Sequence, residues 1–168
     1  MSSPSSSPSS SPSSSPSSSP EEVLAGLGLS VPEAVPPVAA YVPAVRSGDH
    51  IYTSGQLPMK DGALAATGKV GAEVTPEVAF DCAQQCALNA IAAVKAEIGD
   101  LSLVKRVVKV VAFVASAPDF TAQPKVANGA SELLGKVFGD AGVHARSAVG
   151  VAVLPLDAPV EVEIVVEV

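Results

Sequence analysis

Two segments of the chain show the spacing of apolar residues that is typical of helices. In the first, apolar residues recur at helical intervals from Val78 to Ile98, and Gly99 is suited to end the helix. Residues 75–77 (Thr-Pro-Glu) predict its start, because they supply a capping hydroxyl, a proline for the first turn and an acid. A second helical region is predicted from Pro118 to about Phe138.

Runs of β-branched residues predict the strands, and Gly- or Asp-containing turns (47–49 and 60–62) separate the first of them. The resulting order, ββ-α-β-α-ββ, favours an α+β fold with two helices packed on one face of a mixed β-sheet. Valine occupies both alternations of several strands, and no third long helix exists to cover the second face. Self-association through the sheet is therefore expected. The predicted strands are Tyr41–Val45, His50–Ser54, Val107–Ala115, Val149–Val153 and Val160–Val168.

The chain divides by composition into three parts. Residues 1–20 are, after Met1, serine with a proline at every fourth position, which predicts a disordered low-complexity leader. Residues 21–36 form a proline-containing lead-in with a short helix over Glu21–Gly26, and residues 37–168 have the length of one domain. The leader is excluded from the prediction of the fold.

Composition narrows the function classes. The net charge of −7 weighs against a nucleic-acid partner, because such partners require Lys and Arg to neutralise phosphates. No apolar stretch approaches the roughly 20 residues that span a bilayer, and no secretory signal is present, so we expect a cytoplasmic protein. Cys82 and Cys86 lie one helical turn apart and far from His50 and His144 in sequence. They are therefore interpreted as small buried residues, and no metal or cofactor is expected.

Arg146 is the first candidate for chemistry. It lies in a predicted loop just before an apolar strand, where a guanidinium at a sheet end can bind a carboxylate through two parallel hydrogen bonds. The alternative is an ordinary surface arginine.

The last strand and the first hairpin contribute the other candidates. Glu161, Glu163 and Glu167 share one alternation of the strand and are either a functional acid set or a solvated face. Tyr41 either closes a small pocket or packs, and residues 54–56 (Ser-Gly-Gln) either offer backbone donors to a ligand or form a turn. The residues alone indicate a small carboxylate pocket and nothing finer.

Several short motifs, in this order and spacing, resemble the Rid/YjgF (reactive intermediate deaminase) family over roughly Pro37 to Val168. The closing motif is the specific part of the resemblance, since a strand ending in Ser-Gly-Gln would be weak by itself. The motifs are Tyr41, IYTSGQLP at 51–58, Asn89 in the first long helix, ARSAV at 145–149, LP at 154–155 and VEVE at 160–163.

The resemblance implies a chorismate-mutase-like fold and a homotrimer whose sheets face inwards as a barrel, with three ligand clefts between subunits. It also implies hydrolysis of reactive imines and enamines, such as 2-aminoacrylate, to a 2-keto acid and ammonia without a metal or organic cofactor. The implied partner is a small carboxylate-bearing imine or keto acid, with no nucleic acid and no membrane.

Individual roles also come from the resemblance. Arg146 would bind the substrate carboxylate, and Glu161 would position or activate the attacking water. Ala148 and Gly150 stand where the family often has a cysteine and an acid, which places the chain in a divergent subgroup. The remaining cleft residues would be Tyr41, Ser54, Gly55 and Asn128.

Two other functions remain open at this point. A trimer that binds a small carboxylate for regulation, without turnover, would need Arg146 but not Glu161. A ribonuclease or translation inhibitor, an activity associated with some relatives, is less favoured because of the acidic net charge.

Overall fold

The computed structural model describes residues 18–34 and 40–168, and its main element is a five-stranded mixed sheet. The elements are α1 (Pro20–Gly26), β1 (Ala44–Ser47), β2 (His50–Thr53), β3 (Met59–Lys60), β4 (Ala63–Leu64), α2 (Pro76–Ile98), β5 (Arg106–Ala115), α3 (Gln123–Phe138), β6 (Ala145–Val151) and β7 (Val160–Glu167). The strand order is β1-β2-β7-β5-β6, and β3 pairs with β4 in a separate hairpin. All neighbours in the large sheet are antiparallel except β5 and β6, which α3 connects. The predicted α+β class with a mixed sheet is confirmed.

The first long helix agrees with its sequence signals. The Thr75 hydroxyl accepts a hydrogen bond from the Val78 amide at 3.3 Å, and Gly99, with a φ of 82°, ends the helix. The predicted start of the second helix was wrong, because α3 begins at Gln123 rather than Pro118. The segment after Pro118 forms a turn instead, and Pro124 occupies the first helical turn, where its missing N–H is tolerated.

Two strand boundaries also differ from prediction. The first strand begins at Ala44 rather than Tyr41, and Pro43 cannot donate a ladder hydrogen bond. Strand β6 begins at Ala145 rather than Val149, so Arg146 lies within a strand and not in the predicted loop. Strand β6 lies at the edge of the sheet, where polar residues such as Arg146 and Ser147 are tolerated. Its first residues are strand because they pair with β5.

The two long helices cover one face of the sheet. On β7 the residues of one alternation are buried under them, whereas Glu161, Glu163, Val165 and Glu167 on the other alternation are partly exposed. We call this second side the open face. Helices α2 and α3 also pack closely on each other, since a Cβ at Gly129 would overlap the Phe80 carbonyl oxygen. By strand register, the apolar residues of the open face are Val45, Tyr52, Val111, Phe113, Val149, Val151 and Val165.

Helix α1 packs on this core through Leu24, which is fully buried. Ser19 caps the helix, so residues 19 and 20 of the segment predicted as a disordered leader belong to a helix start. Residues 1–17 of that leader, and the domain boundary predicted at residue 37, lie outside the described residues. Within the described part of the chain, no helix is both long and apolar enough to cross a membrane.

Candidate active site

Arg146 points towards helix α3. It pairs in the parallel ladder with Val110, which is buried on the helix-covered side, so its side chain leaves the sheet on that side. One guanidinium nitrogen, Nη1, donates to Asn128 Oδ1 at 2.8 Å and to Ser131 Oγ at 3.1 Å, and Nη2 donates to the Pro124 carbonyl oxygen at 3.3 Å. Three acceptors from a single helix therefore fix the guanidinium.

The number of donors on Arg146 leaves room for a ligand. A guanidinium carries five N–H donors, and α3 takes two from Nη1 and one from Nη2. Among the described residues, Nε–H and one Nη2–H make no hydrogen bond. Two guanidinium donors, one on Nε and one on Nη2, can bind the two oxygens of a carboxylate. Arg146 is thus anchored to α3, and its role as a carboxylate ligand stays a prediction.

Ser131 and His144, which the sequence prediction omitted, extend this group. Ser131 Oγ lies 2.9 Å from His144 Nε2, and His144 Nδ1 lies 2.6 Å from the Gly142 carbonyl oxygen. The available signal was helical spacing, because residues 124, 128 and 131 fall on one face of α3. We call Arg146 with Pro124, Asn128 and Ser131 the arginine half-site.

Glu161 lies on the open face of β7, and its carboxylate covers the backbone of Gly55. A Cβ at Gly55 would overlap that carboxylate, so glycine is required for the close approach. Burial raises the pKa of Glu161, and the negative charge of Glu163, two residues along the same face, raises it further. Within the described residues the carboxylate accepts no hydrogen bond that would oppose this rise in pKa. Glu161 is thus a partly desolvated carboxyl able to exchange a proton.

Ser54 and Gln56 hold the segment around Gly55 in place. The backbone amide and carbonyl groups of Gln56 and Val162 bond to each other at 2.8 and 3.0 Å, which fixes Gly55 against β7. The Ser54 hydroxyl donates to the Val42 carbonyl oxygen at 2.6 Å and so ties the residue after Tyr41 to the end of β2.

The side chain of Tyr41 is 48% exposed, and it stays a predicted member of this region. We call Glu161 with Tyr41, Ser54 and Gly55 the glutamate half-site.

The two half-sites do not meet within one chain. Arg146 lies on the helix-covered side of β6, Glu161 lies on the open face of β7, and strand β5 separates them. In the sheet they are two strand spacings apart, about 10 Å, and offset by three residues, about another 10 Å. One small substrate cannot contact both side chains in a single protomer. Sequence reasoning found members of both groups but could not show this separation.

Ala148 and Gly150 share the helix-covered side of β6 with Arg146. A Cβ at Gly150 would lie 2.8 Å from Nε2 of Gln123, whose amide donates to the Phe120 carbonyl oxygen and the Ser116 hydroxyl. An acid at position 150 would therefore collide with the Gln123 amide. The absence of a side chain at Gly150 leaves the space that the Gln123 amide occupies at the start of α3.

The cysteines and Asn89 belong to the core rather than to either half-site. Cys82 and Cys86 are buried, as expected, and burial raises the pKa of the Cys82 thiol to about 11. Burial also raises the pKa of the Cys86 thiol, and its Sγ lies 3.5 Å from the Val160 carbonyl oxygen. Asn89 donates to the carbonyl oxygens of Leu57 and Met59 at 2.9 and 3.0 Å, which fixes the segment after Gln56.

Comparison with known proteins identifies relatives along most of the chain. Residues 21–168 match a family described as YjgF/chorismate mutase-like, a description that also includes endoribonuclease. The chain is 48% identical over 145 residues to protein TCP17 of Trypanosoma cruzi, which covers 86% of this chain and 91% of that protein. It is 35% identical over 138 residues to a 2-iminobutanoate/2-iminopropanoate deaminase of Dermatophagoides farinae, covering 82% of this chain and 93% of the relative.

Solved structures share the fold. Protein Atu1372 of Agrobacterium tumefaciens, a protein of unknown function, superposes with a TM-score of 0.84 at 48% identity. The match covers 89% of this chain and 92% of that one. The crystal structure of E. coli TdcF with bound serine superposes with a TM-score of 0.61 at 25% identity, covering 81% and 94% of the two chains.

Proposed function

The chain belongs to the YjgF/chorismate mutase-like family, and from that premise we propose that it hydrolyses small carboxylate-bearing imines to 2-keto acids and ammonia. The observation that carries the proposal is Arg146, held by three acceptors on α3 with two donors left for a carboxylate. Two relatives add support. One is named a 2-iminobutanoate/2-iminopropanoate deaminase, and another was crystallised with serine, a small molecule with a carboxylate and an amine.

In the proposed reaction, Arg146 binds the carboxylate next to the imine carbon and fixes the substrate's orientation. Water adds to the electrophilic carbon of the protonated imine while Glu161 accepts one of the water protons, which gives a carbinolamine with a neutral amine. Glu161 then returns this proton to the nitrogen and the C–N bond breaks, so that ammonia leaves. The hydroxyl proton passes to water as the C=O bond forms. The proposed steps use water and these side chains alone.

The raised pKa of Glu161 suits this role. A carboxyl with an ordinary pKa is a weak base near neutral pH, and a raised pKa brings proton affinity closer to the working pH. Because the same group must accept and return a proton, its partial burial next to Gly55 supports both steps.

We infer further that the working site is composed of two protomers. Arg146 of one protomer and Glu161 of its neighbour would line one cleft, since they point away from each other within a chain. The open face supports this arrangement, because it carries several apolar side chains that no helix of the described residues covers. A ring of three protomers is the assembly that the family resemblance implies.

The direct test is the release of ammonia and 2-keto acid from enzymatically generated 2-aminoacrylate and 2-iminobutanoate. The rate with the wild-type chain is compared with the uncatalysed rate and with the Arg146→Ala variant. Acceleration that disappears in Arg146→Ala supports the proposal. No acceleration by the wild type on either substrate contradicts it.

A non-catalytic carboxylate-binding protein is the second candidate. It is favoured by the arginine half-site being complete within one chain without Glu161. The two candidates differ in one result, because wild-type protein that binds 2-oxobutanoate but does not accelerate imine hydrolysis would be a binding protein. The endoribonuclease function in the family's description is less favoured by the net charge of −7.

A further inference from the structure

A directional chain of hydrogen bonds runs from the turn before β6 to Arg146. The Gly142 carbonyl can only accept, so the proton shared with His144 at 2.6 Å belongs to Nδ1. In the neutral ring, Nε2 is then an acceptor, and the Ser131 hydroxyl must donate its single proton to it across 2.9 Å. The Ser131 oxygen is left with lone pairs only, which match the Arg146 Nη1 donor at 3.1 Å.

We propose that Ser131 and His144 are positioning residues that set the orientation of the Arg146 guanidinium for carboxylate binding. The inference rests on the proposed role of Arg146 as the carboxylate ligand. Neither residue touches the substrate in this account. His144 fixes the direction of the Ser131 hydroxyl, and Ser131 with Asn128 holds Nη1 so that the Nε–H and Nη2–H donors face the ligand.

The direction of this hydrogen-bond chain matters because a serine hydroxyl rotates freely. It can present either a proton or a lone pair to Arg146. Facing a guanidinium, only the lone pair is attractive. Because the Ser131 hydroxyl donates its hydrogen bond to His144 Nε2, its lone pairs are directed towards Arg146, and Ser131 acts as the acceptor there. An arginine that is held in one orientation loses less conformational entropy when it binds its ligand.

The competing explanation is that His144 only closes the turn at Gly142. Two substitutions separate the explanations, because asparagine places an amide near the Nδ1 position and glutamine places one near Nε2. His144→Asn keeps a donor for the Gly142 carbonyl oxygen and loses the acceptor for Ser131. His144→Gln keeps the acceptor for Ser131 and loses the donor for Gly142.

The experiment measures the Kd for 2-oxobutanoate by calorimetry and kcat and KM for imine hydrolysis in the intact protein. We expect Ser131→Ala and His144→Asn to raise Kd and KM about tenfold, the loss typical of one hydrogen bond to a charged group. Their kcat should change less than about threefold, and His144→Gln should stay close to the wild type. Glu132→Gln, at an exposed neighbouring position of α3, is the matched control and should have no effect.

Two results would overturn the inference. One is wild-type affinity in His144→Asn; the other is an equal loss in His144→Asn and His144→Gln, which indicates a structural role. A second measurement does not depend on turnover. ¹⁵N NMR of the histidine rings should find the proton of His144 on Nδ1. A ring that carries its single proton on Nε2 would contradict the proposed direction of the hydrogen bonds. Absence of imine hydrolysis with 2-oxobutanoate binding intact would remove the deaminase proposal alone, whereas absence of any carboxylate binding would remove both.

Discussion

The arginine half-site and the glutamate half-site place opposite charges in opposite environments. The guanidinium of Arg146 donates to three acceptors from α3, which fix its position. Glu161 is partly buried against the Gly55 backbone, and no donor among the described residues stabilises its charge. These environments suit the two tasks that the proposed reaction assigns to Arg146 and Glu161. A ligand for a carboxylate benefits from a fixed charge, whereas a group that moves protons benefits from a charge that is easily neutralised.

The largest expected effect follows from removing the fixed charge. Arg146→Ala deletes two charge-assisted hydrogen bonds, which should weaken 2-oxobutanoate binding on the order of 100-fold to 10,000-fold, measured by calorimetry. Arg146→Lys keeps the charge but loses the planar pair of donors, so it should recover only a small part of the affinity. Unchanged binding of 2-oxobutanoate in Arg146→Ala would contradict the claim that the arginine half-site binds the carboxylate.

Neutralising the other half-site should affect turnover rather than binding. Glu161→Gln retains the shape of the side chain and cannot accept a proton, so kcat should fall on the order of 100-fold. The Kd for 2-oxobutanoate should stay within about threefold of the wild type. Because the pKa of Glu161 is raised, the wild-type rate should be lost as pH falls through a value above that of an ordinary glutamate. An unchanged kcat would show that Glu161 has no catalytic role and belongs only to a solvated face of β7.

A glycine-to-alanine pair tests whether the environment of Glu161 matters. A Cβ at Gly55 would overlap the carboxylate, so Gly55→Ala should displace it and lower kcat about tenfold. Gly135→Ala is the matched control, since a Cβ there meets nothing within 4 Å and the position lies inside α3. It should leave kcat unchanged and raise the thermal midpoint slightly, because alanine favours helix. Equal kcat in the two variants would contradict the role of the Gly55 contact.

The smallest expected effect concerns Glu163. Its negative charge is one of the two causes of the raised pKa of Glu161, and burial is the larger. Glu163→Gln should therefore move the acidic limb of the pH–rate profile to lower pH without abolishing the limb. A limb that does not move, or that moves to higher pH, would show that Glu163 does not act on Glu161 through its charge.

Much of the fold follows from local sequence signals. The start and end of α2 follow from Thr75, Pro76 and Gly99, and the buried and open faces of β7 follow from alternation along Val160–Glu167. These features could be predicted because caps and alternating polarity act over a few residues. The start of β6 could not, because its polar edge position takes its register from β5, more than thirty residues away in sequence.

The sequence indicates candidate site residues but not how they are arranged in the fold. Arg146 and Glu161 were both candidates from the residues alone, and the family resemblance gave each its expected role. The partners of Arg146 on α3 lie 15 to 22 residues from it in sequence, and the sequence prediction named only Asn128, as a cleft residue. That the two half-sites face opposite sides of the sheet depends on strand order and register. Neither is encoded in the spacing of these residues along the chain.

The central claim, a site shared between protomers, is tested most directly by mixing two inactive variants. Arg146→Ala and Glu161→Gln are unfolded together, refolded at equal concentrations and assayed for imine hydrolysis. In a ring of three with one site at each interface, random mixing gives one intact pair in each mixed ring, so about a quarter of wild-type activity should return. No recovery, with mixed oligomers demonstrated by mass spectrometry, would show that Arg146 and Glu161 do not act in one shared site.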